Sequence, residues 1–311
     1  MRLAASVFLL SAAAFSGCAT TGSLMINPTD KVAVIAHRGA SAYAPENTLA
    51  AFELAVEMKA DWYELDCLLA KDGTVIVSHD NDVDRCTDGK GLITEKSLAE
   101  LKTLDAGSWY DAKFAGEHLP TLAESLAMAK DRIGVYVEIK SVADDGPLMA
   151  EMFAAAGIQE TLGEDAIAGL VSVAETSGNR NVDLARAAVA NIREAGMEKQ
   201  VVIQSFSPII CLVAIAEAPE IRTEYLGSYN AEKPEAWEAF KSWGRLINVA
   251  GFNVSQPSLT EARLKEFHEL DKTVAVWTVD DAESMKQLIN WGVDAIITNK
   301  PDVLRTVLAG G

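Results

Sequence analysis

Four apolar runs in the sequence end in or carry ionisable residues. "VAVIAHRG" stops on His37 and Arg38, "WYELDC" carries Glu64 and Asp66, "TVIVSHD" reaches His79, and "VYVEIK" carries Glu138 and Lys140. Alternate residues of a strand share a face. Glu64 and Asp66 therefore point one way, and Glu138 and Lys140 share a face of their own strand. Charges buried without partners are costly, so these groups must converge on something. Three carboxylates brought together repel one another. A hard divalent cation with oxygen ligands, calcium or magnesium rather than zinc, answers that repulsion. Glu64, Asp66 and Glu138 are the candidate metal ligands, although for any one of them alone a structural salt bridge is the simpler reading.

The chain has four histidines, and two of them stand beside these acids. His37 and His79 are the candidate catalytic pair, one as general base and one as general acid. His118, in a loop before Pro120, and His268, on an amphipathic helix, read as structural. Arg38 offers a planar, permanently charged fork suited to a phosphate, and Lys140 a second cation. Gly39 lets the backbone turn close to a ligand. In "PENT", Asn47 reads either as a helix N-cap or as a residue of the site. Asp72-Gly73 reads as a two-residue hairpin turn, which would place Asp66 directly opposite His79.

The elements that must position these residues alternate. Strands are expected at Val32–His37, Trp62–Leu69, Val135–Lys140, Val201–Phe206, Arg222–Leu226, Ala250–Val254, Val274–Val279 and Ala295–Thr298. Helical patterns between them include Thr48–Lys59, Asp183–Ala195, Pro208–Ala216, Glu235–Trp243, Glu261–Leu270 and Ala282–Trp291, with Asp302–Leu308 closing the chain. Eight strands alternating with helices at this length indicate an α/β fold, a closed (β/α)8 TIM barrel. Two stretches break the alternation: 81–119, an insertion after the second-strand hairpin, and 141–182, with a helix expected at Leu148–Ala156. Excursions of that length from strand ends are uncommon unless they serve function or are disordered.

Bulk properties narrow the setting. The 311 residues are 49% apolar and carry a formal charge of −18. Such a charge excludes nucleic acid as a partner, because that binding rests on cations neutralising phosphates. Nothing in the sequence points to a protein partner. Residues 1–17 have a cationic start and an apolar stretch too short to span a membrane, followed by Cys18. The segment resembles a bacterial lipoprotein signal. That resemblance implies lipidation at Cys18, a tether over residues 18–31, membrane attachment by the lipid alone, and an exported lipoprotein in the outer membrane facing the periplasm. The alternative is an ordinary secretory signal with an incidental cysteine. Of the other cysteines, Cys67 and Cys86 either pair or, like Cys211, are buried free thiols.

Taken in order, "HRGASAYAPENTLAAF", "ELDCLLAKDGTVIVSHD", "VEIK", "VVIQSF", "VAVWTVDD" and "GVDAIITNKPD" resemble the glycerophosphodiester phosphodiesterases across residues 32–309. The resemblance implies a TIM-barrel hydrolase that uses one divalent cation, Ca2+ or Mg2+, and releases glycerol 3-phosphate from a small glycerophosphodiester. By position it implies His37 and His79 as the acid–base pair and Glu64, Asp66 and Glu138 as metal ligands. Arg38 and Lys140 would contact the phosphate, and Trp277 would wall the glycerol. Asn299 stands where many relatives have Asp. Two other readings compete: hydrolysis of single-chain lipids, suggested by the apolar "GPLMAEMFAAAG", and a non-catalytic binding protein on a degenerate barrel.

Overall fold

The computed structural model describes residues 32–157 and 161–310. The expected leader (1–17) and the expected tether (18–31), which begins with Cys18, lie outside the described residues. Nine strands form one sheet: β1 (Ala33–Ala36), β2 (Trp62–Leu69), β3 (Val75–Val77), β4 (Gly134–Ile139), β5 (Val201–Ser205), β6 (Arg222–Gly227), β7 (Gly251–Ser255), β8 (Thr273–Trp277) and β9 (Ala295–Thr298). Their order is β1-β9-β8-β7-β6-β5-β4-β2-β3, and β1 also pairs with β2. That last pairing closes eight parallel strands into the expected barrel, and the antiparallel β3 hangs on the outside of β2.

Alternation sorts the side chains into two layers. Ala33, Ile35, Trp62, Tyr136, Val202, Ala275, Ala295 and Ile297 fill the barrel interior, with Trp62 meeting Tyr136 edge-on at 5.3 Å. Their neighbours, among them Val34, Tyr63, Leu65, Val137 and Ile203, point outward and pack beneath the helices. Those helices are α1 (Leu49–Glu57), α2 (Leu98–Leu101), α3 (Leu122–Ala129), α4 (Gly146–Ala156), α5 (Glu164–Thr176), α6 (Arg180–Ala195), α7 (Pro208–Glu217), α8 (Pro234–Leu246), α9 (Glu261–Glu269), α10 (Ala282–Trp291) and α11 (Pro301–Leu308). Burying both faces explains why the strands read as near-continuous apolar runs.

The hairpin differs from expectation by one residue. Ala70 N–H donates to Thr74 O at 2.8 Å and Gly73 N–H to Ala70 O at 3.1 Å, so Lys71, Asp72 and Gly73 form a three-residue loop. Gly73 takes φ +84°, the left-handed position such loops require. Asp72 fixes this form by accepting from Thr74 N–H and Leu98 N–H. Cys67 then pairs with Val77, and Ser78 N–H donates to Asp66 O. Ser78, rather than His79, is the residue opposite Asp66.

The insertion after β3 builds a small core of its own from Leu68, Ala70, Ile76, Val83, Ile93, Leu101, Ala106 and Leu119. The chain returns beside β3, where Val77 N–H donates to Pro120 O. The second excursion holds α5, which the sequence reading missed, as well as α4. Leu148, Met152 and Ala156 of α4 are buried, and Phe153 meets Trp243 edge-on at 5.3 Å. The apolar side of "GPLMAEMFAAAG" therefore belongs to the core, which removes the observation that favoured a lipid substrate. Cys67, Cys86 and Cys211 are all free thiols, so the Cys67–Cys86 pairing is not formed.

The β1–α1 turn is tight. Gly39 has φ +80°, and a Cβ there would lie 2.6 Å from the backbone carbon of Ala51. Gly73 is equally left-handed, but a Cβ there meets nothing within 4 Å. Gly39→Ala should cost roughly 2 kcal/mol or more, from strain plus a backbone clash. Gly73→Ala should cost only about 1–2 kcal/mol, from strain alone. Thermal unfolding of the two variants checks the order.

Candidate active site

The carboxyl ends of the barrel strands gather the ionisable residues. His37 and Arg38 follow β1, Glu64 and Asp66 lie on β2, Glu138 lies on β4 with Lys140 just beyond it, and His79 follows β3. One oxygen each from Glu64, Asp66 and Glu138 lies within 4.8 Å of the others, and all three residues are buried. The β2–β4 register sets Asp66 beside Glu138.

Two cations and two amides hold this cluster. Lys140 Nζ donates to Glu138 Oε1 at 2.7 Å and to Asp66 Oδ1 at 3.3 Å. Arg38 takes φ +55° and turns its backbone N–H onto Glu64 Oε2 at 2.9 Å. Its Nη1 donates to Glu46 Oε1 at 2.8 Å. Its Nε, 3.3 Å from Asp66 Oδ2, is buried without a well-aligned acceptor. Gln204, on β5, reaches Glu64 Oε1 at 3.4 Å and is held in turn by Asn253 of β7 at 2.6 Å.

Asn47 is not the helix cap. Thr48 caps α1, its hydroxyl accepting from Ala51 N–H. Asn47 sits in the left-handed region at φ +59°, which Asn tolerates better than most residues. From there it clamps Asp66: Nδ2 donates to Asp66 Oδ2 at 2.9 Å, and Oδ1 accepts from Asp66 N–H at 3.3 Å.

The electrostatics divide the carboxylates. Burial, then the charges of Asp66 and Glu138, push Glu64 well above the usual range. Burial and Asp66 raise Glu138 to about 7, against the pull of Lys140. Burial would raise Asp66 too, but Lys140, Arg38, His79 and the Asn47 hydrogen bond bring it to about 2. Among the described residues no cationic side chain pairs directly with Glu64. The cluster is thus an oxygen-only donor set short of positive charge, which fits a hard divalent cation.

The histidines have contrasting partners. Asn299, after β9, donates through Nδ2 to Asp280 Oδ2 at 2.6 Å. A carboxylate only accepts here, so Asn299 Oδ1 must face His37 Nδ1, 2.7 Å away. His37 therefore carries its proton on Nδ1 and leaves Nε2 as the acceptor. Burial, then the charge of Arg38, lowers His37 to about 4. His79 Nδ1 instead meets a carboxylate, Asp80 Oδ1, at 2.7 Å. His118 and His268 do structural work: His118 bonds the Leu104 carbonyl, and His268 bonds Asp294.

Trp277 ends β8, with Phe206 packed edge-on against it at 5.5 Å. Phe206 is 43% exposed, and the Trp277 Nε1 donor is buried without a protein acceptor. The two rings form an aromatic wall at the mouth.

Residues 37–303 match the glycerophosphoryl diester phosphodiesterase family. The chain belongs to that family. It is 35% identical over 283 residues to a glycerophosphodiester phosphodiesterase of Caldanaerobacter subterraneus, covering 90% of this chain and 99% of the relative. It is 29% identical over 301 residues to a glycerophosphodiester phosphodiesterase of Bacillus subtilis, covering 94% and 91%. Its fold is similar to that of an Oleispira antarctica phosphodiesterase solved with the product sn-glycerol-3-phosphate. That match has a TM-score of 0.70 at 27% identity and covers 89% of this chain and 96% of the other. Membership in the family makes the chain a glycerophosphodiester phosphodiesterase, and the barrel mouth is its candidate active site.

Sequence reasoning had singled out His37, Arg38, Glu64, Asp66, His79, Glu138, Lys140 and Trp277, and all eight lie at this mouth. It left Asn47 undecided and missed Gln204, Asn253, Asp280 and Phe206. Of these, Asn47 gives the sharpest test. Removing a donor from a buried carboxylate costs about 1.5–3 kcal/mol, more than losing a helix cap. Asn47→Ser would preserve a cap but not the clamp. Asn47→Ser should therefore lower stability in denaturant titration by more than Thr48→Ala does.

Proposed function

We propose that this protein hydrolyses glycerophosphodiesters to glycerol 3-phosphate and an alcohol such as choline, ethanolamine or glycerol. The observation that carries this reading is the convergence of two histidines, two cations and three buried carboxylates on one barrel mouth in a chain of this family. Arg38 and Lys140 lie where a phosphate could share their charge, reducing its repulsion of an incoming nucleophile. A divalent cation held by Glu64, Asp66 and Glu138 would supply further neutralisation of the phosphate oxygens as a Lewis acid. Either calcium or magnesium suits the donor set.

His37 is the base in this scheme. Its Nε2 lone pair is free, and burial beside Arg38 keeps the ring neutral at pH 7. It takes the proton of the attacking hydroxyl, either water or the glycerol 2-hydroxyl, the latter giving a cyclic phosphate that water then opens. His79 is the acid, protonating the departing alkoxide, and Asp80 Oδ1, 2.7 Å from its Nδ1, orients the ring. Trp277 and Phe206 offer apolar rings to the glycerol carbons. The leader adds a separate proposal, lipidation at Cys18 and anchoring in the outer membrane facing the periplasm. Incorporation of labelled fatty acid, abolished by Cys18→Ala, checks it.

A product assay across glycerophosphocholine, glycerophosphoethanolamine and glycerophosphoglycerol, with calcium, magnesium or EDTA, tests the main reading. Turnover should be lost in EDTA and restored by one of the cations. His37→Ala and His79→Ala should each lower kcat by about 10²–10⁴-fold; full activity in either variant would refute its assigned role.

The acid limb of the pH profile gives a second test. Asn299→Asp would set a negative charge against His37 Nδ1, favouring imidazolium and raising the pKa of His37. A base must be deprotonated, so the acid limb of kcat/KM should move to higher pH in Asn299→Asp. An unmoved limb would show that His37 is not the base.

A further inference from the structure

Arg85 lies on the insertion, outside the residues assigned to the site above. Its guanidinium nevertheless reaches back to the mouth. Nε donates to Asp80 Oδ2 at 2.6 Å, while Nη1 and Nη2 grip Glu46 Oε2 and Oε1 at 2.9 and 2.8 Å. The other oxygen of Asp80 meets His79 Nδ1 at 2.7 Å. Glu46 Oε1 accepts a second bond, from Arg38 Nη1 at 2.8 Å. One side chain thus ties the histidine–aspartate pair to an anchored carboxylate.

Fold stability is a poor explanation for this arrangement. The Arg85 side chain is 45% exposed and that of Asp80 31%, and ion pairs that open to solvent contribute little. Geometry is a better one. A guanidinium bonded in bidentate fashion to a carboxylate has a fixed plane. Asp80 is held against that plane, and its second oxygen is left aimed at His79 Nδ1. Without Arg85, Asp80 is free to rotate into solvent, and His79 loses the partner that sets its ring.

We propose that Arg85 is a positioning residue for the reaction: anchored by Glu46, it locks Asp80 so that His79 delivers its Nε2 proton to the leaving alcohol. This rests on the acid role given to His79 above. It also gives the insertion a task, since through Arg85 that segment grips Asp80, the partner of His79.

The test compares two diesters of glycerol 3-phosphate, turned over by the full chain with calcium or magnesium. Choline leaves as an alkoxide that needs a proton, whereas 4-nitrophenolate leaves without one. A general acid contributes about 10²–10⁴-fold, so loosening one should cost about 10- to 100-fold in kcat on the choline ester. Arg85→Met should show that loss, with less than about a threefold loss on the 4-nitrophenyl ester. Its thermal midpoint should match the parent's, and Arg85→Lys should recover part of the choline-ester rate. Asp80→Asn combined with Arg85→Met should lose little more than Asp80→Asn alone, since both act through His79. Equal losses on the two esters, no loss on either, or a loss that tracks a lowered thermal midpoint would overturn the role. A parent protein inactive on both esters overturns the phosphodiesterase reading itself. An active parent with equal losses in the variant overturns the Arg85 role alone.

Discussion

Mutual repulsion among Glu64, Asp66 and Glu138 is the constraint that organises the mouth of this barrel. Three buried carboxyl oxygens within 4.8 Å of each other do not all stay ionised without compensation. Each neighbouring feature makes sense as a response. Lys140 bridges two of the three. Arg38 adopts a left-handed backbone that turns its own N–H onto Glu64. Asn47 takes the same kind of backbone to hold Asp66 from both ends of its amide. The β1–α1 loop is therefore shaped by the acids of β2, and Gly39 is the joint that lets it close against α1.

That compensation is uneven, and the unevenness is chemically useful. Asp66 has two cationic neighbours and ionises readily, while Glu64 and Glu138 are pushed toward holding protons. A binding site with one committed anion and two reluctant ones has a standing demand for added positive charge. Below the mouth the barrel meets a similar problem differently. Arg222 and Glu224 on β6 bond to each other at 2.7 Å, and Thr273 and the Ala250 carbonyl take further contacts. That pair is closed on itself, and its place near the start of β6 puts it away from the strand ends where substrates reach.

The contrast explains what the sequence could and could not say. "ELD" on β2 and "RTE" on β6 share a charge alternation, and only position along the strand separates an open site from a closed pair. Strand ends were legible because apolar runs stop where side chains leave the packed barrel. Residues whose types suit catalysis, such as His37 and Glu138, announced themselves there. The Asp72-Gly73 signal located the hairpin but not its length, because Gly73 serves a two- or three-residue loop equally well. Register, and with it the residue facing Asp66, was decided by hydrogen bonds from Thr74 and Leu98 N–H to the Asp72 carboxylate. Gln204 and Asn253 stayed hidden because a neutral amide inside a strand has no signature until its partner is known. Asn47 was masked by a better-known use, since Asn before Thr reads as a cap.

The two histidines complete the argument, because the same side chain is set in two opposite surroundings. At His37, desolvation and the neighbouring Arg38 cation favour an uncharged ring, against the pull of the hydrogen bond to the neutral Asn299 amide. His79 is about a third exposed and faces a carboxylate, Asp80, rather than an amide. Environments that differ in this sense divide acid from base more reliably than sequence position does. Asn299 is decisive on the His37 side. An aspartate there would offer His37 the same kind of partner that Asp80 offers His79, and the asymmetry would weaken. With Asn299 held by Asp280, the neutral amide is oriented as firmly as a carboxylate would be. His37 thus gains a fixed tautomer without gaining the charge that would compromise the base role proposed for it.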